Sequence, residues 1–235
     1  LGSQTLIESN ADLRDLTRLC DNGDFLVEAN DMSAVHRLSE AGLPFVGGPA
    51  LNLYNVPTLE ILKHAGMFRF VAPVELPGAD LARLLADARE AGLALDCEVL
   101  AYGHLPLAWS SRCFTARHHQ HPKDRCQFVC QDYPEGLSLT TQDDSRRLFT
   151  LNGIQTLSGA CQDLRHELAE MAAMGVSAAR LSPRSEGMDE VVADFDLARQ
   201  GRYPAPSPLA LVDAELCNGY WHGQAGMDLA PVLED

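Results

Sequence analysis

Three cysteines stand within one stretch, Arg112-Cys113-Phe114-Thr115-Ala116-Arg117-His118-His119-Gln120-His121-Pro122-Lys123-Asp124-Arg125-Cys126-Gln127-Phe128-Val129-Cys130, with the spacing C-x12-C-x3-C. Thiolates brought together repel unless a cation neutralises them, and soft sulfur selects zinc or iron–sulfur centres. Cys126 and Cys130, four apart, can face one way on a helical turn. Arg112, Arg117, Lys123 and Arg125 favour thiolate and offset the charge of an anionic cluster. A 4Fe-4S cluster normally takes four thiolates, and this loop supplies three. Of the remaining thiols, Cys20 and Cys97 read as core residues, the usual fate of a lone cysteine. Cys161 and Cys217 are weak candidates. Two other readings of the loop stay open: a Cys₃His zinc site borrowing His118, His119 or His121, and three unrelated loop thiols.

Other polar residues fall near the ends of expected strands: Glu28, Asn30, Asn52, Glu75, Glu98, Tyr102, His104, Asn152, Gln155 and Arg180. As a group they would line a pocket for a phenolic ring or an oxygen donor; singly, each is explained as well by a cap, a turn or a buried polar role. Ser110 and Ser111 near His104 invite a hydrolase reading, but no G-x-S-x-G elbow is present. Gly47-Gly48 completes neither phosphate-binding glycine fingerprint, and the absence of C-x-x-C-H argues against attached haem.

The elements that must position these groups alternate. Helical patterns run over Ala11–Cys20, from Asp31 or Ser33 to Gly42, and over Thr58–His64, Asp80–Ala91, Asp163–Met174 and Met188–Arg199. Strand patterns fall at Phe25–Ala29, Phe45–Gly47, Met67–Ala72, Leu95–Ala101, Leu148–Leu151 and Ala178–Leu181. Short links between alternating strands and helices predict a parallel sheet. The expected fold is α/β, a TIM-barrel-like parallel (β/α) barrel over 1–203 that is incomplete at its N-terminus and open along that edge. A doubly wound sheet also fits. The break in rhythm at 102–147 holds the cysteines and follows a strand, where barrel chemistry sits. A tail over 204–235, opened by Pro204, Pro206 and Pro208, is expected to pack on the barrel.

The 235 residues carry 33 acidic and 18 basic side chains, a net charge of -15. That argues against non-specific nucleic-acid binding and against docking on anionic membrane by charge. No apolar run reaches the roughly 18 residues of a spanning helix. The start, Leu1-Gly2-Ser3-Gln4, has neither Met nor a secretory signal. The expectation is a chain that begins inside a longer protein, in reducing cytoplasm, where clustered cysteines more often mean metal than disulfide.

The stretch Glu98-Val99-Leu100-Ala101-Tyr102-Gly103-His104-Leu105-Pro106-Leu107-Ala108-Trp109-Ser110-Ser111-Arg112-Cys113 resembles the signature of the collagenase-like peptidase family that includes UbiU and UbiV. Phe25-Leu26-Val27-Glu28-Ala29, Leu43-Pro44-Phe45-Val46, Leu151-Asn152-Gly153-Ile154-Gln155-Thr156, Arg180-Leu181-Ser182-Pro183 and Cys217-Asn218-Gly219-Tyr220-Trp221 extend the likeness along the chain, towards the ubiquinone-biosynthesis accessory branch. The resemblance implies a barrel-like fold with a 4Fe-4S cluster, Cys113, Cys126 and Cys130 as three of its ligands, and a fourth cysteine in a segment before Leu1. It implies a heterodimer with a UbiU-like protein, acting on ubiquinone precursors in ring hydroxylation without dioxygen. Where peptidase-type relatives read H-G-A-x-C, this sequence has Tyr102-Gly103-His104-Leu105-Pro106. The loss of that His and Cys puts proteolysis in doubt, and the resemblance implies a redox subunit rather than an active protease. The alternatives are a peptidase-like hydrolase and a zinc-stabilised module without catalysis.

Overall fold

The computed structural model describes residues 1–122, 125, 127–207, 209 and 215–231. The chain is a mixed α/β protein of two compact units, 1–99 with 171–179 and 100–170 with 180–235.

The first unit follows the strand–helix rhythm. Helix α1 (Asn10–Cys20) starts at a capping box in which the Ser9 hydroxyl accepts the Asp12 N–H and the Asp12 carboxylate accepts the Ser9 N–H. Strand β1 (Val27–Ala29) leads to α2 (Met32–Glu40), capped by Asp31, one of the two caps the sequence allows. Then come β2 (Phe45–Gly47), α3 (Val56–His64) capped by Asn55, β3 (Met67–Val71) and α4 (Gly78–Glu90). Strand β4 (Asp96–Trp109) begins in this unit and continues into the second. β1, β2, β3 and the start of β4 pair in parallel in that order. Phe45, Met67 and Phe70 from the strands and Leu38, Leu59 and Leu81 from the helices are fully buried and form the core. The edge expected to be open is partly paired: Gly2 bridges Glu28 in parallel, the Ser3 N–H donates to the Glu28 carbonyl and the Glu28 N–H to the Leu1 carbonyl.

The second unit departs from an all-parallel barrel. β4 extends to Trp109, so the first part of the segment expected to be irregular is strand. Helix α5 (Phe114–His118) follows, then β5 (Leu137–Thr140), β6 (Arg147–Asn152) and β7 (Gln155–Asp163). β4, β7, β6 and β5 pair in that order, all antiparallel. The Leu148–Leu151 strand is therefore present but antiparallel. Its cause is the tight turn at Gly153 (φ 59°), which joins β6 to β7 as a hairpin where a parallel crossover would need a dozen residues or more. The helix expected over Asp163–Met174 is strand end at Asp163, a 3-10 turn at Arg165–Glu167, and α6 (Leu168–Met174). β8 (Ala178–Leu181), which pairs with β4, and α7 (Met188–Ala198) restore the rhythm, and β9 (Leu216–Cys217) joins β7 in parallel. Tyr102, Leu105, Leu164, Val191 and Phe195 are buried here, with the Tyr102 and Phe195 rings edge to face at 6.0 Å.

Gly103 makes the passage of β4 beside Ser182 possible. Its φ is 129°, and a Cβ there would lie 2.4 Å from the Ser182 Cβ, while the Ser182 N–H donates to the Tyr102 carbonyl at 2.8 Å. Gly103→Ala is expected to cost about 2–3 kcal/mol through backbone strain and the clash, read as a lower urea midpoint. An unchanged midpoint would show that β4 can move away.

Burial also sets an alkaline limit. Cys97 and Cys217 are fully buried, and desolvation pushes each thiol up from 9.0 to about 12. With the folded pKa above the unfolded one, each neutral thiol stabilises fully below pH 9 and loses that contribution as pH rises towards 12. Complete titration would remove about 4 kcal/mol per thiol. Chemical denaturation from pH 8 upwards should show this fall, and Cys97→Ala should flatten it.

Candidate functional site

The second unit carries the cysteine loop. Ser110 N–H donates to the Ile154 carbonyl at 2.9 Å, and Phe114 N–H to the Gly153 carbonyl at 2.7 Å. Gly153 N–H in turn donates to the buried Thr115 hydroxyl at 3.3 Å. These bonds fasten α5 to the β6–β7 turn. Cys113 is its N-cap, and its Sγ accepts the Ala116 N–H at 3.4 Å. Cys130 lies on a 3-10 turn, Val129–Asp132, that packs against α5. His119 Nε2 meets the Tyr133 hydroxyl at 3.0 Å, and so closes the loop. Cys113 and Cys130 thus sit on neighbouring segments, both partly exposed. Cys126 lies outside the described residues. Among the described residues no three His, Cys, Asp or Glu side chains are grouped to hold a metal ion. The histidines engage one another and Tyr133 instead, with ring centroids 5.1 Å apart for His118–His119 and 6.1 Å for His119–His121.

A pocket of about 540 Å³ opens beside Cys113, lined by Arg112, Ala116, Arg117, Gln120 and His121 among others. Neither arginine side chain has an ion-pair partner among the described residues. That contrasts with Arg165, whose Nε lies 3.0 Å from Asp163 and whose Nη1 bonds Asp194.

A second group of thiol and polar side chains stands at the other end of β7. Cys161, opposite His104, has its Sγ 3.6 Å from His104 Nε2 and 3.8 Å from Arg184 Nη1. Six residues of strand separate Cys161 from Gln155, which puts it roughly 20 Å from the turn that holds α5. Burial pushes the Cys161 thiol up, against the pull of Arg184 and Arg147, and pushes the His104 imidazole down. Both groups therefore favour their neutral forms. Burial opposes the Glu135 charge too, but the Ser185 N–H (2.7 Å), the Ser185 hydroxyl (2.5 Å) and Arg184 outweigh it and hold the carboxyl below its usual range. The Tyr102 hydroxyl is buried, and burial lifts its pKa to about 12 against the pull of Arg184.

The other sequence candidates have local partners. Glu28 accepts from Asn30 Nδ2 at 3.1 Å, Asn52 ends a 3-10 turn at φ 55°, and Glu75 accepts from the Tyr54 hydroxyl at 3.3 Å. Glu98 lies 3.9 Å from Arg69. Asn152 and Gln155 pair across the β6–β7 hairpin, and Arg180 lies on β8. Sequence reasoning missed Arg184 and Glu135, and ranked Cys161 low, because long-range strand pairing brings them together and no local spacing marks it.

Residues 10–200 match peptidase family U32, the collagenase-like peptidases. The chain belongs to peptidase family U32. The match takes in every strand from β1 to β8 and the whole cysteine loop. No solved structure matches the chain. In this U32 chain Tyr102 is a buried strand residue packed on Phe195, and Pro106 pairs with Leu157 across β4 and β7. Both positions serve packing and pairing. In the one described thiol–imidazole contact, Cys161–His104, the thiol is only 1% exposed and burial favours the neutral form of both groups. No helix among the described residues is long and apolar enough to cross a membrane.

Proposed function

We propose that this U32 protein is a cluster-binding redox subunit of the UbiV type, acting with a UbiU-like partner in dioxygen-independent hydroxylation of ubiquinone precursors in the cytoplasm. The observation that carries the reading is the packing of the Cys113-capped helix against the turn that bears Cys130. The donor set suits the group. Cys113 Sγ already accepts a backbone N–H, as cluster sulfurs do, and Arg112 and Arg117 balance thiolate charge nearby. Cys113, Cys126 and Cys130 would hold a 4Fe-4S cluster, with a fourth cysteine from a segment preceding Leu1. When bound, the cluster supplies one-electron transfer at a potential set by its surroundings. The chain's own part is to present the thiols on a loop fastened to the β6–β7 turn, to keep cationic side chains beside them, and to leave one side of Cys113 open.

A hydrolase reading has the Cys161–His104 contact on its side. A cysteine peptidase needs an accessible thiolate, whereas this thiol is buried and its pKa is raised. The experiment that separates the two is expression under anaerobic conditions with the UbiU-like partner, in cells lacking their own UbiV-type protein. Restored ubiquinone synthesis that Cys130→Ala abolishes is the expected result. Peptide turnover by cluster-free protein, without rescue, would overturn the proposal.

A further inference from the structure

The pocket beside Cys113 also has the size and lining of a small-molecule site. Its volume of about 540 Å³ lies within the roughly 300–1,000 Å³ range of small-molecule sites. Two guanidinium groups line it, neither neutralised by a described acid, in a chain whose net charge is -15. Arg18, Arg37, Arg83 and Arg199 are held in ion pairs on this acidic protein. Two without an ion-pair partner among the described residues, set around one concavity, are free to meet a negative charge supplied from outside. The planar fork of arginine matches the two oxygens of a carboxylate or phosphate. Gln120 and His121 add hydrogen-bonding groups to the wall, and buried Ala116 adds an apolar patch.

We propose that Arg112 and Arg117 make this pocket a binding site for a small oxyanion-bearing molecule, a carboxylate or a phosphate, seated against Cys113. The inference shares Cys113 with the cluster reading but does not rest on it, since the arginines and the cavity are present in the chain itself. A ligand held there would lie beside whatever chemistry Cys113 takes part in.

The test uses the full chain, stripped of metal, with benzoate and inorganic phosphate as separate probes in calorimetric titrations. Saturable binding of at least one probe is expected. Tighter benzoate would assign a carboxylate ligand, and tighter phosphate a phosphorylated one. The Arg112→Gln/Arg117→Gln double variant should lose at least tenfold in affinity while keeping the wild-type circular dichroism and melting temperature. In wild type the bound probe should also slow N-ethylmaleimide labelling of Cys113 several-fold, followed by mass spectrometry, with no effect on Cys130. Absence of binding by both probes, equal affinity in the double variant, or unchanged Cys113 labelling would overturn the proposal. Failure of the protein to take up iron would leave these readouts intact, so the two proposals fail separately.

Discussion

Replacing Cys113 or Cys130 by alanine should remove essentially all iron from anaerobically prepared protein, and Cys126→Ala should do the same. Two remaining loop thiolates are too few to retain a cluster against dissociation. Cys20→Ala, Cys97→Ala, Cys161→Ala and Cys217→Ala should keep wild-type iron, with a cost in stability where a buried side chain is cut back. The geometry sharpens the Cys161 case: that thiol meets His104 and Arg184 at the far end of β7, away from the turn that holds α5. Iron per chain across the seven variants checks this. A Cys161 variant as depleted as the Cys113 variant would mean that the loop reaches much further than its fastening to Gly153 and Ile154 allows.

The second large effect is on stability. Arg165 joins two buried carboxylates, with Nε 3.0 Å from Asp163 and Nη1 on Asp194, and Ser207 also bonds Asp194. Asp194 is 2% exposed and Asp163 7%. Arg165→Met would leave both acids buried without their cation, a change that costs about 3–5 kcal/mol. The pH dependence follows from Asp163. Burial raises its carboxyl above the usual value even with Arg165 present, so its folded pKa exceeds its unfolded one. The protonated form then favours the fold below the unfolded pKa, and that contribution is lost as pH rises through the folded pKa. Removing Arg165 raises the folded pKa further. The variant should therefore be most impaired at neutral pH and partly recover as pH falls towards the carboxylate range. Urea midpoints at pH 5 and pH 8 measure it; an equal deficit at both would show that water already reaches these acids.

Local signals carried the first unit. Ser9, Asp31 and Asn55 each cap the helix they precede, and the short apolar runs ending at Ala29, Gly47 and Val71 pair in parallel in chain order. In the second unit local signals were weaker than long-range pairing. Gln155-Thr156-Leu157-Ser158-Gly159-Ala160-Cys161 is made mostly of small and polar residues, with none of the β-branched or aromatic run that marks a strand. It is strand because β4 and β6 hydrogen-bond it from both sides. Gly159 fits there since a Cβ would meet the Arg147 carbonyl oxygen at 2.2 Å. That three cysteines share one stretch is read from residue type and spacing alone. The placement of that stretch is not, because the bonds that position α5 come from Gly153 and Ile154, about forty residues on in the sequence. That neither Arg112 nor Arg117 has an ion-pair partner among the described residues was equally out of reach, since charge balance is a property of neighbours in space.

The most direct measurement is iron and acid-labile sulfide per chain, with zinc determined in the same sample, on protein prepared without oxygen. The account predicts iron and sulfide in equal amounts approaching four of each per cluster-bearing chain, a visible absorption that dithionite bleaches, and little zinc. Stoichiometric zinc without sulfide, lost on mutating Cys113 or Cys130, would contradict it and make the loop a structural metal site.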